Sequence, residues 1–564
     1  MTVWGWIEIA IVTVVVTLLV KPVGTYLYKV FEGKKPFGDR VFGPIERFLF
    51  RILSIDPRTE YGWSGYIVRM IILDFVIIFF AYLVLRVQGH LPLNPVAVPG
   101  MHPDLAFNTS ISFGTNTNWQ AYAGETQVSY LAQMIVMTMV MFTSAASGLV
   151  IGISFMRGIS RKGTPYIGNY YADFVRAIVR VLLPLALILA VVTVPLGVIQ
   201  TLKGPARVTT LEGKTQEIPR GPVASLESIK HLGNNGGGFF NANAAHPFEN
   251  PNPITNVLFL IGMFLIPASM TQTLGRYIKN SKQGWVLFFA LLALFIILVC
   301  LTYTFEAAGN PKIAKLGVNN SAGNMEGKES RFGVSDSSVF GATTVSATTG
   351  SVNSMHSSYT AMGGMMLLSG MMLNVIYGSC GAGMTNILMY VILTVFIAGL
   401  MVGRTPEFVG KKIESREVKL SVIALLAHPV TILAFVALAV VVPAARNAVL
   451  NKGPHGLTEI VYCYTSAVAN NGSAFAGLAA NSGFFNVTTG LAMLVGRYVI
   501  FIPMIAVAGS LAQKKTVPPS EGTFRTDSGL FAGLLIGVVV IVSALTFFPV
   551  LALGPIAERL GHLF

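Results

Sequence analysis

Charged residues are scarce in this chain. Asp, Glu, Lys and Arg together make up 11% of its 564 residues, against about 25% in a soluble globular protein. With 53% hydrophobic residues and a mean hydropathy of +0.65, the composition excludes a disordered chain, which needs high charge and low hydrophobicity. It also argues against an ordinary soluble enzyme. Cysteine is scarcer still. Cys300, Cys380 and Cys463 are the three present, and none forms a CxxC pair, so neither a disulfide framework nor a cysteine zinc site is available. The phosphate-loop pattern Gly-x-x-x-x-Gly-Lys-[Ser/Thr] is missing. With only eight histidines and few carboxylates in apolar stretches, so is the clustered chemistry of a membrane-embedded enzyme. Acidic residues are outnumbered, 25 against 39 basic, for a net charge of +14. Such an excess fits either a nucleic-acid partner or one side of a membrane, and only its distribution decides. The apolar run 7–20 lacks a basic leader and a cleavage site, so it reads as a first membrane helix rather than a signal peptide.

What is abundant is long apolar sequence. About ten runs are near the twenty residues that cross a bilayer as helix: Ile7–Tyr28, Gly65–Leu85, Tyr130–Phe155, Phe174–Ile199, Ile254–Leu274, Trp285–Phe305, a glycine-broken stretch Met362–Met401, Leu420–Val442, Gly490–Leu511 and Leu530–Leu551. Basic residues gather in alternate connections. Lys34, Lys35, Arg40, Arg47 and Arg51 follow the first run, and Arg157, Arg161, Arg276, Lys279, Lys411, Lys412, Lys514 and Lys515 mark later ones. By the positive-inside rule these face the cytoplasm and both termini lie outside. The charge excess is then a topology signal, and no nucleic acid is needed to explain it.

The outer connections are long and rich in Gly, Asn, Ser and Thr, and four carry a related core. The cores are Asn116-Thr117-Asn118, Asn234-Asn235-Gly236, Thr348-Thr349-Gly350 and Asn470-Asn471-Gly472. Each lies between two apolar runs, so the unit is helix, pore loop, helix, repeated four times. Gly tolerates φ > 0 at the third position, with Asn next. A backbone held there turns its carbonyls to one side, and four such loops make a ring that can replace the hydration shell of K⁺. The hydroxyls of Thr117, Thr348 and Thr349 and the Asn side-chain oxygens are expected to help. No carboxylate stands at a core position, which favours a monovalent over a divalent cation.

The stretches TNTNWQ (115–120), NGGGFFNANAAHPFENP (235–251), NMEGKESRFG (324–333), AGLMVGRTPEFVGKKI (398–413) and NNGSAFAGL (470–478) closely resemble the KdpA family, the A subunit of the potassium-importing Kdp ATPase. The resemblance covers essentially the whole chain. It implies an all-α polytopic membrane protein with four helix–pore loop–helix repeats around a K⁺ filter and one extra helix at each end. The expected divisions are 1–62, 63–157, 172–282, 284–412, 418–514 and 528–564. The resemblance further implies a bacterial inner-membrane complex with the P-type ATPase subunit KdpB, with KdpC and with small KdpF. K⁺ passes the filter from outside and then moves sideways into the ATPase subunit. The chain itself has no Asp-Lys-Thr-Gly-Thr phosphorylation segment and no room for a nucleotide domain, so ATP hydrolysis is expected on the partner. An autonomous K⁺ channel or ion-coupled transporter of the same superfamily is the alternative. Two departures touch the filter. The third loop reads Ala347-Thr348-Thr349-Gly350 where the family often has Ser-Cys-Gly, and the second begins with Asn234 where Thr is common.

Further candidates flank the cores. Gln120, after Trp119, either supports the filter backbone or starts a helix facing outer water. Gly378, Gly381 and Gly383 interrupt the broken seventh run; the family places a loop here that blocks straight passage. Arg497 at membrane depth is a functional candidate by default: a fixed cation below the filter would repel K⁺ from the straight exit. Arg404 is nearer a helix end, where snorkelling competes with a blocking role. Asp74 is expected to pair with a basic residue, and His246 and Glu249 are read as structural.

Overall fold

The computed structural model describes residues 2–401, 403–518 and 524–561. Among these, ten helices are long and apolar enough to cross a membrane. Strand is confined to three two-stranded pairings. This follows from lipid as solvent, since a helix satisfies its backbone internally. In chain order, α1 (Val3–Phe31) is followed by α2 (Asp39–Ile52), which is too short to span. Four units of one pattern come next. The first is α3 (Trp63–Val87), α4 (Pro103–Gly114) and α5 (Tyr130–Ser160). The second is α6 (Tyr170–Thr193), α7 (Val223–Leu232) and α8 (Pro253–Tyr277). The third is α9 (Ser281–Ala307), α10 (Gly333–Ser346) and a divided pair, α11 (Ala361–Leu373) and α12 (Ala382–Met401). The fourth is α13 (Ser415–Val441), α14 (Gly453–Val468) and α15 (Gly483–Gln513). A final helix, α16, runs Gly529–Leu551.

Burial sorts these helices by role. In the last helix of each unit, 67–72% of the most apolar window is buried; in the first helix of each unit the share is 33–50%. For α1 and for the final helix it falls to 28%. So α5, α8, α12 and α15 form an inner wall, and α1 and α16 leave apolar side chains such as Leu18 and Leu545 exposed. Small residues allow the close contacts expected between helices without a hydrophobic driving force. A methyl on Gly24 of α1 would lie 2.6 Å from the Ser269 carbonyl of α8, and one on Gly158 of α5 would lie 2.5 Å from the Ala508 carbonyl of α15.

The four short helices α4, α7, α10 and α14 are the middle members of the units. Hydropathy passes over them because they are short and partly polar, yet each is almost wholly buried. Each ends two positions before a core tripeptide: at Gly114, Leu232, Ser346 and Val468. Their C-termini, the negative ends of the helix dipoles, therefore all lead into the four cores.

Candidate functional site: four loops that meet on their carbonyls

The four cores share one backbone. In each, the second residue's N–H donates back to a carbonyl five residues earlier: Thr117 to Ser112, Asn235 to Lys230, Thr349 to Thr344 and Asn471 to Ser466, all at 2.9 Å. The second-position amides are thus tied back toward the preceding helices, and among the described residues the one core carbonyl that accepts a hydrogen bond is that of Asn234, from the Asn116 amide. The first core residue is left-handed in all four, at φ 68° for Asn116, 52° for Asn234, 47° for Thr348 and 53° for Asn470. Asn118, Gly350 and Gly472 at the third position are left-handed as well, as the sequence suggests. The second loop differs: Gly236 is not left-handed, and its neighbour Gly237 takes that conformation at 67°.

The loops meet at one place. A methyl on Gly472 would lie 1.9 Å from the Thr117 carbonyl oxygen, and one on Gly350 would lie 1.9 Å from that of Asn471. Gly236 sits between the same two carbonyls, at 2.7 and 3.0 Å from its own added methyl. The absence of Cβ at these three positions keeps the space between the loops open to backbone oxygen.

A collar of side-chain amides holds the loops to one another. Asn116 donates to the carbonyls of Gly233 (3.2 Å) and Asn234 (2.8 Å), linking the first loop to the second. Asn234 donates to the Thr349 hydroxyl (3.1 Å), linking second to third, and Asn470 to the Thr117 hydroxyl (2.9 Å), linking fourth to first. Asn471 donates to the Thr344 carbonyl (3.0 Å), which ties the fourth loop to the third. Asn235 bonds both Asn116 Oδ1 (2.7 Å) and Asn118 Oδ1 (3.0 Å). These Asn oxygens and the Thr117 and Thr349 hydroxyls are therefore engaged in the collar. Each of these oxygens thus already accepts a bond from a neighbouring loop, whereas Asn235 Oδ1 has no hydrogen-bond partner among the described residues. Gln120 belongs to the same support. Its amide bonds Gly238 in both directions at 2.9 Å, so it braces the first loop on the second. Behind the second loop, fully buried Lys230 pairs with Glu249 (2.9 Å) and Glu227 (2.7 Å), and Glu249 accepts the Phe240 N–H (2.8 Å). His246 stacks on Phe240 at 3.7 Å between centroids. Both read as structural, as the sequence suggests.

Space is unequal on the two sides of the cores. One side opens into a cavity of about 340 Å³ lined by Asn118, Gln120, Gly237, Gly350, His356 and Gly472, among others. Burial first, and then nearby Lys328, push the His356 imidazole down to about 3, so this mouth gains no cation at neutral pH. The other side narrows to about 20 Å³, room for about one water. Its floor is the segment between α11 and α12. Asn374, Tyr377, Ser379 and Gly381 are left-handed there, and the Ser379 N–H bonds the Ala347 carbonyl at 2.7 Å, directly under the third core. Gly381 and Gly383 are required by close approach. A methyl on either would lie 2.1 Å from a backbone oxygen, of Gly148 and Gly378 respectively, whereas Gly378 itself has room. Arg497 closes the other flank. It sits in a π-helical turn, 495–499, of the kind that recurs at functional sites. It donates to the carbonyls of Thr115 (3.1 Å) and Ser144 (3.0 Å) and lies 3.6 Å from buried Asp74. The Asp74 carboxylate also accepts from Ser147 and Tyr498. The expected pairing of Asp74 is thus met by Arg497, the residue singled out for the blocking role.

The family model described as "potassium-transporting ATPase A subunit", KdpA, matches residues 10–560. The chain belongs to the KdpA family. Among similar proteins, the potassium-transporting ATPase potassium-binding subunit of Delftia acidovorans is 50% identical over 564 residues, 99% of this chain and 98% of that protein. The protein of the same name from Geobacillus kaustophilus is 51% identical over 553 residues, 98% of each chain. The crystal structure of the potassium transporter TrkH from Vibrio parahaemolyticus superposes with a TM-score of 0.51 at 15% identity, covering 88% of this chain and 97% of that one. At that identity the likeness concerns the fold.

Most candidate residues come together: the twelve core residues, Gln120, the 378–383 segment and Arg497 form one continuous cluster. Arg404 does not join it. Helix α12 ends at Met401, and the turn that follows carries Arg404 into an exposed position lining a different cavity, with Lys279 and Glu407. Sequence reasoning missed the left-handed first core position and the collar. The recurrence of Asn at that position in three cores of four was the available signal.

Proposed function

We propose that this chain is the potassium-binding and translocating subunit of an ATP-driven K⁺ importer, and that K⁺ is selected where the four cores meet. The observation that carries this reading is the set of four matching N–H tethers, together with the Thr117 and Asn471 carbonyls that face the gap left open by Gly236, Gly350 and Gly472. Carbonyl oxygens there take the place of water around the ion. The four pore-helix C-termini add negative potential without a carboxylate, so a monovalent ion is stabilised but not trapped. K⁺ enters from the roomy side, taken as extracytoplasmic by the positive-inside rule. Arg497 and the segment Asn374–Gly381 bar the straight path, and the ion leaves sideways to the subunit that hydrolyses ATP. On the family pattern that subunit is KdpB, with KdpC and KdpF completing a complex in the bacterial inner membrane. Both termini lie outside, and this chain binds no nucleotide. The repeat units run 63–157, 172–282, 284–412 and 418–514, flanked by 1–62 and 528–564, the last three positions of which lie outside the described residues.

The test is K⁺-stimulated ATPase activity of the purified complex carrying Gly236→Ser. Weaker apparent K⁺ affinity is expected, and an unchanged value would overturn the filter assignment. A chain that purifies alone and conducts K⁺ in liposomes would favour an autonomous channel instead.

A further inference from the structure

Helix α2 (Asp39–Ile52) takes no part in the site above, and its three faces differ sharply. At 3.6 residues per turn, Val41, Ile45, Phe48 and Ile52 fall within an arc of ~60°, while Arg40, Arg47 and Arg51 fall within ~40°. The remaining face, Asp39, Gly43, Glu46 and Phe50, lies roughly opposite the apolar stripe. That face is the docked one. Phe50 packs with Ala172, Val175 and Val179 at the start of spanning helix α6. Glu46 pairs with Arg176 (3.1 Å) and Arg180, and Asp39 with Arg180 (2.8 Å). The two acids of the helix are thus consumed inward. The stripe pointing away is apolar and open: Val41, Ile45, Phe48 and Ile52 are between 43% and 63% exposed. The basic stripe between the two faces is exposed and has no acid within ion-pair distance among the described residues.

Position decides what covers this surface. The helix starts eight residues after α1 ends and is clamped to the first turns of α6, so it is held at the membrane boundary. A short helix with one apolar and one basic face at that depth is the form that lies in the interface. We propose that α2 lies in the headgroup layer of the cytoplasmic leaflet. It buries Val41, Ile45, Phe48 and Ile52 at the acyl boundary and gathers anionic phospholipid on Arg40, Arg47 and Arg51. Basic side chains at a membrane surface favour anionic lipid. The choice of leaflet rests on the orientation proposed above.

The test uses the full complex in phospholipid nanodiscs, in a Cys300→Ala background, with nitroxide labels on Phe48→Cys or Arg47→Cys. At 48 the label should collide more with oxygen than with a water-soluble nickel chelate, and at 47 the order should reverse. A label at 48 shielded from both, as beneath a protein partner, or open to nickel, as in solvent, would overturn the proposal. A fluorophore at 48 should be quenched at least about twofold more by brominated phosphatidylglycerol than by brominated phosphatidylcholine at equal fraction. Arg40→Gln, Arg47→Gln and Arg51→Gln together should erase that difference. Equal quenching in the parent protein would overturn the lipid preference. Impermeant thiol labelling of Arg58→Cys in right-side-out vesicles separates the two readings. Labelling from outside overturns the orientation and with it the leaflet, whereas a failed depth test without outside labelling overturns the role of α2 alone.

Discussion

The third repeat and the other three solve the same problem with different materials. In the first, second and fourth loops the left-handed residue that opens the core is asparagine, and its amide reaches a neighbouring loop. In the third it is Thr348, β-branched and left-handed at φ 47°, a conformation rare for such a side chain. Thr348 contributes nothing to the amide collar, and Asn471 supplies the link to the third loop from the fourth. The third repeat is also the one whose inner helix is divided, and the segment inserted between α11 and α12 bonds to the carbonyl just before Thr348. Three repeats therefore hold the ring by side chains. The third holds it by a backbone segment that also forms the floor beneath it. On the proposed function, one element that both supports the four cores and closes the path below them is suited to coupling the two.

Four substitutions and one titration break or sharpen this contrast, from the largest expected effect to the smallest. Arg497→Gln leaves buried Asp74 without its charge partner on the flank opposite the third-repeat floor. It should cost ~3–5 kcal/mol, seen as a lower thermal midpoint of the purified complex, with much of the loss recovered by adding Asp74→Asn. Gly350→Ala forces a methyl against the Asn471 carbonyl and should weaken apparent K⁺ affinity at least about 100-fold, ~2.8 kcal/mol, in K⁺-stimulated ATPase assays. Asn235→Ala removes the amide shared by Asn116 and Asn118 and should cost about tenfold in affinity, within the ~1–3 kcal/mol of a buried unsatisfied group. Thr348→Asn gives the third loop the residue of the others. It should relieve strain of order 1 kcal/mol and raise the thermal midpoint while changing K⁺ affinity less than about threefold. Finally, His356 lines the mouth beside the third loop with its pKa pushed down to about 3, so it stays neutral from about pH 5 to 8. K⁺ binding should be flat across that range on its account. Stability behaves differently: in the unfolded chain this imidazole takes a proton below about 6.5, so its burial costs stability progressively as pH falls from there toward 3.

Much of this architecture is legible in the sequence, and the rest is not for definite reasons. The spanning helices are written in apolar runs of bilayer length, and even the division of the third repeat's inner helix shows in Gly378, Gly381 and Gly383. Of these, Gly381 and Gly383 are demanded by close approach. The left-handed third core position is readable at Asn118, Gly350 and Gly472. It misleads in the second loop, because the run Gly236-Gly237-Gly238 leaves the choice of residue to packing. Pore helices such as α7 escape a hydropathy reading, since they carry Glu227, Lys230 and His231 into a buried place where only partners distant in sequence make them tolerable. The pairing of Asp74 with Arg497 joins residues in the first and fourth units. No local pattern announces such a contact. The collar is hidden for the same reason, as its donors and acceptors belong to different repeats.

The central claim is that K⁺ is held where the four cores converge, and a structure of the complex grown with thallium or rubidium in place of K⁺ tests it most directly. The account predicts anomalous or difference density ringed by backbone oxygens of residues 116–118, 234–236, 348–350 and 470–472, above the Arg497 guanidinium. Density that avoids this ring and settles elsewhere in the chain, with the cores unoccupied, would contradict it.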